Sequence, residues 1–450
     1  MPKSSKFIIT VKDGEKISLF NTLTSSVVRL DTELYEKLFV CNDFENETEI
    51  VSALKQMGFL VEDDCSEMLR LSDMRNKFKN SKKDISSVII AVTTDCNARC
   101  YYCYENGIER APMSTDTAEG VVEFLDKNCT GRRLVVQWFG GEPLCAVDVI
   151  DYIASELINR GIELSGLITT NGYAITEEIC CKARDLWHVR RFQVPVDSLG
   201  DAYNKIKNYK NVKPDEDPFE ILISNIHLLL KYGFHVNVRT NFNPKDIEPN
   251  RAVLRYLARE FEGEERFFAY PAPITGDNML SVVDLKPEEG ILHPYLDLLL
   301  ETRELGFFCP TLLKEDDYLE GDETLSGISL ISRPTGCYAT LPNVFAIDSK
   351  GDLYKCHRML GRGENFSCGN VFDGIAHNST FNEFCNDVPC YKECNDCSLM
   401  PICHGGCKVK HNWYGNKNGC MAVKGIVNDL VRIYIGELEK RERREHNGDT

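Results

Sequence analysis

A short loop with three cysteines, at residues 96–103, constrains the fold of this chain more than any other stretch. Cys96, Cys100 and Cys103 follow the apolar run at 88–92, which the pattern predicts to be a buried strand. Three thiolates on one loop can bind three irons of a 4Fe–4S cube and leave the fourth iron open, whereas most such clusters take four cysteine ligands. Structural zinc sites also take four ligands, and this loop contains no histidine. The loop therefore predicts an iron–sulfur cluster with an open coordination position.

Strands and helices alternate from residue 88 to about residue 270. The predicted strands are 88–93, 134–139, 164–170, 191–196, 235–241 and 266–270, and the predicted helices are 115–128, 147–159, 176–187, 219–232 and 249–260. This alternation implies an α/β fold with a parallel sheet and helices outside it, and six strands fit an incomplete barrel. Active sites of such folds gather at the carboxyl ends of the strands, which is where the cysteine loop lies.

Composition bounds the class of protein. The chain has 450 residues, which implies two or three domains, and 43% hydrophobic with 27% charged residues is typical of a soluble globular protein. The net charge of −17 argues against a nucleic-acid partner. No apolar run could span a bilayer and no signal-peptide core is present, so we expect a cytoplasmic protein with no membrane partner. Twenty cysteines in such a chain indicate metal or redox chemistry rather than disulfides.

The spacing of the three cysteines, with the aromatic Tyr102 directly before Cys103, resembles the signature of radical S-adenosylmethionine (AdoMet) enzymes. The resemblance implies that Cys96, Cys100 and Cys103 hold a catalytic 4Fe–4S cluster whose open iron binds the methionine part of AdoMet. It also implies that reduction splits AdoMet to a 5′-deoxyadenosyl radical, and that the predicted sheet is a partial (β/α)6 radical AdoMet barrel.

The turn Gly140-Gly141-Glu142-Pro143 follows the second predicted strand. Two glycines let a backbone approach a ligand closely, and Glu142 can accept hydrogen bonds from an ammonium group. At this distance after the cysteine loop, the turn resembles the family's motif for the AdoMet amino group. An ordinary turn is the alternative for these four residues taken alone.

Three further strand ends carry residues that the resemblance assigns to AdoMet. Asn171 lies in the turn after the third predicted strand, near the cofactor. Gln193 and Asp197 lie where related enzymes contact the ribose, although the sequence Val-Asp-Ser at 196–198 departs from the commoner Leu-Asp-Gly. Arg239 lies on the fifth strand, where relatives pair an arginine with the AdoMet carboxylate.

Seven cysteines near the C-terminus form a second pattern. They read Cys337-x13-Gly351-x4-Cys356, then Cys394-x2-Cys397-x5-Cys403-x3-Cys407, and finally Cys420. The pattern resembles the SPASM extension of radical AdoMet enzymes, which holds two auxiliary 4Fe–4S clusters. By that resemblance Cys394, Cys397, Cys403 and Cys420 hold the outer cluster, and Cys337, Cys356 and Cys407 hold the inner one. A zinc ribbon would use only the two pairs at 394–407 and would leave the other three cysteines unexplained.

The inner cluster lacks an eighth cysteine in this pattern. Cys309 could supply it, but its apolar setting also suits a buried packing thiol. We favour the second interpretation, which leaves one iron open for a substrate thiolate.

Residues 1–80 read as a separate module. Predicted strands at 6–10, 16–20 and 27–30 precede predicted helices at 32–39 and 48–57, and the polar run 76–84 suggests a linker. This order resembles the winged-helix-like recognition domain of enzymes that modify ribosomally made peptides, which holds a leader peptide as an added strand. A small domain that only packs on the enzyme is the alternative.

Together these patterns predict a recognition domain at 1–80, a radical AdoMet barrel at 85–305 and a SPASM domain at 306–450. The chain resembles a radical AdoMet/SPASM peptide maturase with AdoMet and three 4Fe–4S clusters. Its implied partners are a precursor peptide with a leader and a reductant such as flavodoxin or ferredoxin. The implied reaction is a thioether cross-link from a cysteine sulfur to carbon, with an auxiliary cluster accepting the remaining electron. The alternatives are carbon–carbon cross-linking, epimerisation, backbone excision, oxidation of Cys or Ser to formylglycine as in sulfatase maturation, and a non-catalytic iron–sulfur electron carrier or peptide-binding adaptor.

Overall fold

The computed structural model describes residues 2–45, 47–62, 67–81, 84–243, 245–274, 293–307, 337–386, 392–409 and 426–436. Their strands are β1 Lys3–Ser4, β2 Ile8–Asp13, β3 Lys16–Asn21, β4 Val27–Asp31, β5 Leu60–Val61, β6 Ser87–Thr93, β7 Arg133–Gly140, β8 Glu163–Thr169, β9 Val189–Pro195, β10 His235–Phe242, β11 Phe267–Pro273, β12 Val344–Ile347, β13 Leu353–Tyr354, β14 Gly369–Asn370 and β15 Gly374–Ile375. Their α-helices are α1 Thr32–Tyr35, α2 Thr48–Gln56, α3 Glu67–Ser81, α4 Thr115–Asn128, α5 Val147–Asn159, α6 Glu177–Asp185, α7 Gly200–Lys207, α8 Pro218–Lys231, α9 Glu248–Glu260, α10 His293–Glu304, α11 Ser379–Cys385 and α12 Met400–Cys403. No helix in these ranges is both long enough and apolar enough to cross a membrane.

The chain divides into two compact units. The larger unit comprises 82–309 and 338–386, and the smaller unit comprises 1–81, 310–337 and 387–450.

The larger unit is built on an eight-stranded sheet in the order β11-β10-β9-β8-β7-β6-β12-β13. Strands β6 to β11 are parallel and follow one another in sequence order, with helices in the connections. The predicted α/β fold with a partial barrel is therefore confirmed. Strand β12 lies in the stretch predicted as the SPASM domain, yet it pairs in parallel with β6 and extends this sheet.

The two faces of the parallel strands differ in polarity. One face is apolar and fully buried, and includes Trp138, Ile168, Phe192 and Val238. The other face is only partly buried and carries Gln137, Thr169, Gln193, Arg239 and Tyr270. Two hydrogen bonds cross this second face, from Gln137 Nε2 to Thr169 Oγ1 at 3.1 Å and from Tyr270 Oη to Gln193 Oε1 at 3.0 Å. The period-two alternation of these strands thus gives the sheet a polar inner face beside the strand ends.

The smaller unit contains the three-stranded antiparallel sheet β2-β3-β4, in which β2 and β4 are the edge strands. Its core combines the strands with the following helices, in the cluster Ile17, Leu19, Leu30, Leu38, Leu54, Phe59 and Leu60. The predicted strands and two helices of this region are found, although the first helix continues from α1 as a π-helical turn at Glu36–Val40.

The polar run predicted as a linker at 76–84 belongs largely to helix α3. The buried residues of α3 are Glu67, Leu71, Arg75 and Lys79, spaced four apart on one face. Glu67 accepts hydrogen bonds from Ser5 Oγ and from the backbone amide of Lys6. Because three of the four buried side chains are charged, the hydrophobic pattern of this stretch predicts a polar segment and not an amphipathic helix.

Helix α3 and the residues just before β2 and just after β3 pack against the segment 392–403 of the same unit. Phe7, Leu71 and Met400 form one buried cluster, and Cys394 packs against it. Three backbone carbonyls of the segment accept hydrogen bonds: that of Asn395 from Lys6 Nζ at 2.8 Å, that of Ser398 from Thr22 Oγ1, and that of Met400 from Arg75 Nη2 at 3.0 Å. The N-terminal sheet and this cysteine-bearing segment therefore fold as one body.

Candidate functional site

The carboxyl ends of five parallel strands bring most of the predicted site residues into the larger unit. The cysteine loop follows β6, the turn 140–143 ends β7, Asn171 follows β8, Asp197 follows β9, and Arg239 lies near the end of β10. The backbone confirms that these ends are neighbours, since Thr170 N donates to Gln193 O at 3.1 Å and Val196 N donates to Arg239 O at 3.1 Å.

The cysteine loop is anchored by the segment that follows β9. Arg99 N donates to Lys207 O at 2.8 Å, and Lys210 N donates to Asn97 O at 2.7 Å. Asn171 Nδ2 also donates to Asn97 Oδ1 at 2.6 Å. The loop is therefore held by main-chain bonds to the end of α7 and by the turn after β8.

The thiols of this loop are half-buried, and burial disfavours the thiolate forms of Cys96 and Cys103. Burial raises the pKa of Cys96 to about 12 and that of Cys103 to about 11, so both are neutral thiols at pH 7 unless a cation binds. Iron binding must displace those protons. The backbone amide of Ala98 already points at Cys96 Sγ, 3.3 Å away, and hydrogen bonds to sulfur of this kind stabilise cluster thiolates.

Among the described side chains, no three His, Cys, Asp or Glu groups converge closely enough to hold one metal ion. A 4Fe–4S cube differs from such a site, because each cysteine binds its own iron and the sulfurs do not meet at one point. The loop residues Cys96, Cys100 and Cys103, with the amide of Ala98 directed at sulfur, fit that kind of group.

Gly140 and Gly141 let the turn after β7 pack against the base of the cysteine loop. A Cβ on Gly140 would lie 2.1 Å from Thr93 O, and one on Gly141 would lie 2.3 Å from Asp95 O. The backbone amides of Gly141 and Glu142 donate to these same two carbonyls, at 3.0 and 2.8 Å. The two glycines therefore permit a close approach between the turn after β7 and the base of the cysteine loop.

Glu142 is buried, and its carboxylate already accepts three hydrogen bonds from the chain. Oε1 accepts from Leu144 N at 3.0 Å and from Thr170 Oγ1 at 2.7 Å, and Oε2 accepts from Asn171 N at 2.7 Å. Burial raises the pKa of Glu142 above its ordinary value, against the lowering effect of these bonds. Since a carboxylate offers about four lone-pair sites, Glu142 has room for roughly one more donor. Its main contacts join the turn after β7, including Pro143, to the turn after β8.

Asp197 and Lys207 form a buried ion pair beneath the cysteine loop, with Nζ 2.8 Å from Oδ2 and both side chains at most 2% exposed. Tyr102 Oη donates to the same Oδ2 and accepts from Lys207 Nζ at 3.0 Å. Burial is the largest single effect and acts to lower the pKa of Lys207, but Asp197, Tyr102, Cys100 and Tyr203 together outweigh it, and the pKa lies well above its ordinary value. Lys207 is therefore a cation buried directly beneath the predicted cluster loop.

Arg239 lies on the polar inner face of the sheet, in register with Tyr270 on β11. Its Nε is buried and has no hydrogen-bond partner among the described residues. A buried guanidinium nitrogen without a partner carries an uncompensated cost, which a carboxylate ligand would remove. This unpartnered donor fits the AdoMet carboxylate, so the residues present suit AdoMet as well as the cluster.

Sequence reasoning missed two parts of this site. Lys207 is one, since no local pattern marks a buried lysine. His357 is the other: it is buried, its Nδ1 lies 2.6 Å from Tyr338 Oη, and its ring packs beside Phe139. Burial, with the charges of Arg358 and Arg239, lowers the pKa of His357 to about 3, so the ring is neutral. Its position directly after Cys356 is the only sequence signal that could have drawn attention to it.

The cysteines of the SPASM-like pattern occur in both units. Cys356 is buried in the larger unit. In the smaller unit, three cysteines are half-buried: Cys394 in the helical turn Lys392–Asp396, Cys403 in the short helix Met400–Cys403, and Cys397 between the two. Cys337 and Cys407 are exposed. Cys309 and Cys420 lie outside the described residues. The ligand assignments of both auxiliary clusters therefore remain predictions.

Comparison with known proteins relates the part of the chain that carries this site to a family. Residues 90–250 match the family model of the radical SAM superfamily, where SAM is S-adenosylmethionine. The radical SAM cyclopropyl synthase TigE of Paramaledivibacter caminithermalis is 21% identical, in a match that covers 98% of this chain and 96% of TigE.

Two solved structures share the fold. The enzyme anSMEcpe, solved with bound AdoMet and a Cp18Cys peptide, superposes with a TM-score of 0.55 at 15% identity over 78% of this chain and 99% of its own. SuiB of Streptococcus suis, bound to its precursor peptide SuiA, superposes with a TM-score of 0.51 at 16% identity over 93% of this chain and 98% of its own. The family match spans β6 to β10, the strands whose ends form the site described above, so residues 90–250 carry a radical SAM domain.

Proposed function

We propose that the chain is a radical AdoMet maturase that modifies a ribosomally made precursor peptide, most directly by forming a thioether between a cysteine sulfur and a carbon. The observation that carries the proposal is one group of strand ends: the three-cysteine loop, the turn 140–143 bonded to it, and Arg239, whose buried Nε has no partner among the described residues. The recognition domain at 1–80, the barrel at 85–305 and the SPASM domain at 306–450 are part of this proposal.

The cofactor would be held by residues of the larger unit. Cys96, Cys100 and Cys103 would bind the catalytic 4Fe–4S cluster, and Arg239 would pair with the AdoMet carboxylate. When bound, the reduced cluster and AdoMet would supply a 5′-deoxyadenosyl radical. Glu142 acts mainly by fixing the turns after β7 and β8, because three of its acceptor positions are occupied by the chain. It retains room for about one hydrogen bond from the AdoMet ammonium group.

The peptide would react over the polar inner face of the sheet. Gln137 pairs with Thr169, and Gln193 pairs with Tyr270, on that face, which leaves Arg239 Nε as a buried donor without a partner among the described residues. His357 is neutral and buried beside Phe139, so it adds bulk and one hydrogen-bonded ring without adding charge. Such a face can orient a peptide and exclude water from the radical.

The leader of the precursor would be recognised by the smaller unit. Strand β4 ends the sheet β2-β3-β4 and offers an edge to which an extended peptide could add as a further strand. The SuiB complex, which contains a precursor peptide, and the anSMEcpe complex, which contains a Cp18Cys peptide, support a peptide substrate. Cys337, Cys356, Cys394, Cys397, Cys403, Cys407 and Cys420 would hold the two auxiliary clusters.

One observation favours a carbon–carbon bond as a second product. TigE is named as a cyclopropyl synthase, which makes carbon–carbon bonds. Both outcomes remove two hydrogen atoms from the peptide, but only thioether formation consumes a thiol. Oxidation of Cys or Ser to formylglycine would instead leave an aldehyde.

The test uses the full-length, anaerobically reconstituted chain with AdoMet, a reductant such as flavodoxin, and a cysteine-bearing peptide encoded beside its gene. Mass spectrometry before and after thiol alkylation separates the outcomes. Loss of two hydrogens together with one alkylatable thiol supports the thioether, and loss of two hydrogens with all thiols intact supports a carbon–carbon bond. Absence of deoxyadenosine in the presence of all components contradicts the proposed function as a whole.

A further inference from the structure

Lys207 is the most deeply buried cation in the described part of the site, and it touches the cysteine loop in two ways. Its side chain binds Asp197 and Tyr102, at 2.8 and 3.0 Å. Its backbone carbonyl accepts from Arg99 N at 2.8 Å. Tyr102 and Arg99 both lie between the predicted cluster ligands, so one residue of α7 holds the loop by its main chain and by its side chain.

Asp197 has no acceptor position left for a ligand. Lys207 Nζ and Tyr102 Oη donate to Oδ2, while Asn241 N and Asn241 Nδ2 donate to Oδ1 at 3.0 and 2.8 Å. A carboxylate offers about four lone-pair sites, and all four are used within the chain. A ribose hydroxyl could bind Asp197 only by displacing one of these donors from a site that is almost fully buried.

We propose that Lys207, Asp197 and Tyr102 form a positioning network that fixes the cysteine loop, and that Asp197 acts on this loop instead of on the AdoMet ribose. The proposal rests on the proposed function, because it assumes that the loop binds the catalytic cluster. Lys207 and Asp197 are positioning residues: they act through Tyr102 and through the backbone of the loop. Asn241 completes the network by holding the other oxygen of Asp197 at the end of β10.

The network predicts a particular pattern of coupling. Removing one charge of a buried ion pair leaves the other unpaired, which costs far more than removing both. Lys207→Met should therefore disturb the loop strongly, and the double variant K207M/D197N should recover much of the loss. If Asp197 bound the ribose, the two substitutions would act independently, and adding D197N would only worsen binding of AdoMet.

The test compares the full-length reconstituted chain with Lys207→Met, with K207M/D197N and with the control Lys205→Met, whose side chain is exposed on the same helix. Three quantities are measured: the electron paramagnetic resonance spectrum of the reduced catalytic cluster without AdoMet, the rate of deoxyadenosine release, and the Kd of AdoMet. We expect Lys207→Met to alter the spectrum and to slow release by about tenfold or more, with the Kd changed by less than about threefold. Lys205→Met should match the wild type, and the double variant should lie nearer to the wild type than Lys207→Met does.

An unaltered cluster spectrum in Lys207→Met, or an AdoMet Kd weakened by about tenfold or more in K207M/D197N with a wild-type spectrum, would overturn the proposal. If Lys207→Met does not fold, the cluster spectrum and the AdoMet Kd of the double variant alone test the proposal. A separate readout is the rate at which iodoacetamide alkylates Cys96, Cys100 and Cys103 in the metal-free chain, which Lys207→Met should raise several-fold. Failure of the wild type to release deoxyadenosine would contradict the proposed function, whereas an unchanged alkylation rate contradicts the network itself.

Discussion

Arg75 donates a hydrogen bond from Nη2 to the backbone carbonyl of Met400, 3.0 Å away, although 325 positions separate the two residues in sequence. Arg75 is 4% exposed and Met400 is 1% exposed, so the bond is shielded from water. Met400 begins the short helix that ends at Cys403, and Cys394 packs against the same cluster of side chains. The N-terminal sheet and helix α3 thus support the segment that supplies three of the four proposed ligands of the outer auxiliary cluster.

Replacing Arg75 by Ala should weaken this support. The variant removes a charge-assisted hydrogen bond and leaves the carbonyl of Met400 without its donor, at a cost of about 1.5–3 kcal/mol in the free energy of unfolding. We expect a lower unfolding midpoint and partial loss of auxiliary iron. Arg70→Ala, on the exposed face of the same helix, is the matched control and should change neither quantity. An Arg75→Ala protein with full iron content and wild-type stability would show that the contact has no supporting role.

Deleting residues 1–81 should do more than abolish leader-dependent modification. The deletion would expose Met400 and the apolar surroundings of Cys394, and would remove the donors to Asn395, Ser398 and Met400. We therefore expect the truncated chain to lose part of its iron, while slow AdoMet cleavage without peptide persists, because the catalytic loop lies in the larger unit. Iron analysis and deoxyadenosine release of the truncated chain test this. Retention of all the iron would mean that the segment 392–403 is stable alone.

The order of the barrel elements could be predicted from sequence because its signals are local. Buried strands such as β6 are continuous apolar runs, and helices such as α4 and α5 show an apolar face with a clear period. The carboxyl ends of parallel strands share one edge of the sheet, so topology alone predicts that the cysteine loop and the turn 140–143 lie close together.

The missed elements have non-local causes. Helix α3 buries Arg75 because its partner, the backbone carbonyl of Met400, lies 325 positions further along the chain, and no sequence window contains that partner. Helix α7 is short, and Lys207 at its end is buried only because Asp197 and Tyr102 pair with it. Lysine is almost never fully buried unless paired, so the sequence alone favours a solvated side chain at that position.

Glu142→Ala should destabilise the chain even in the absence of AdoMet. The substitution leaves Leu144 N, Asn171 N and Thr170 Oγ1 without their acceptor in a buried site, and each unsatisfied donor costs about 1–3 kcal/mol. Chemical denaturation of the AdoMet-free protein should show a loss of more than about 2 kcal/mol. The control Glu123→Ala, on the exposed side of α4, should be neutral. Wild-type stability with weakened AdoMet binding would instead assign Glu142 to the ligand alone.

Arg239→Met should show the opposite pattern. Because Nε of Arg239 has no hydrogen-bond partner among the described residues, its loss should leave the unfolding midpoint of the AdoMet-free protein close to the wild type. The Kd of AdoMet should rise roughly ten- to a hundredfold, since a charge-assisted contact is lost. Arg190→Met, at an exposed position on β9, serves as the control in the same binding titration. Equal affinities of Arg239→Met and the wild type would remove Arg239 from the cofactor site.

The most direct measurement of the central claim is deoxyadenosine release by the reduced, reconstituted triple variant in which Cys96, Cys100 and Cys103 are all replaced by Ala. The variant should lose about a third of roughly twelve irons, since one of three proposed clusters is removed, and should release no deoxyadenosine. A control with Cys41 and Cys181 replaced by Ala, both exposed and outside the proposed clusters, should keep the iron and the activity. Deoxyadenosine release by the triple variant at the wild-type rate would contradict the assignment of this loop as the radical AdoMet site.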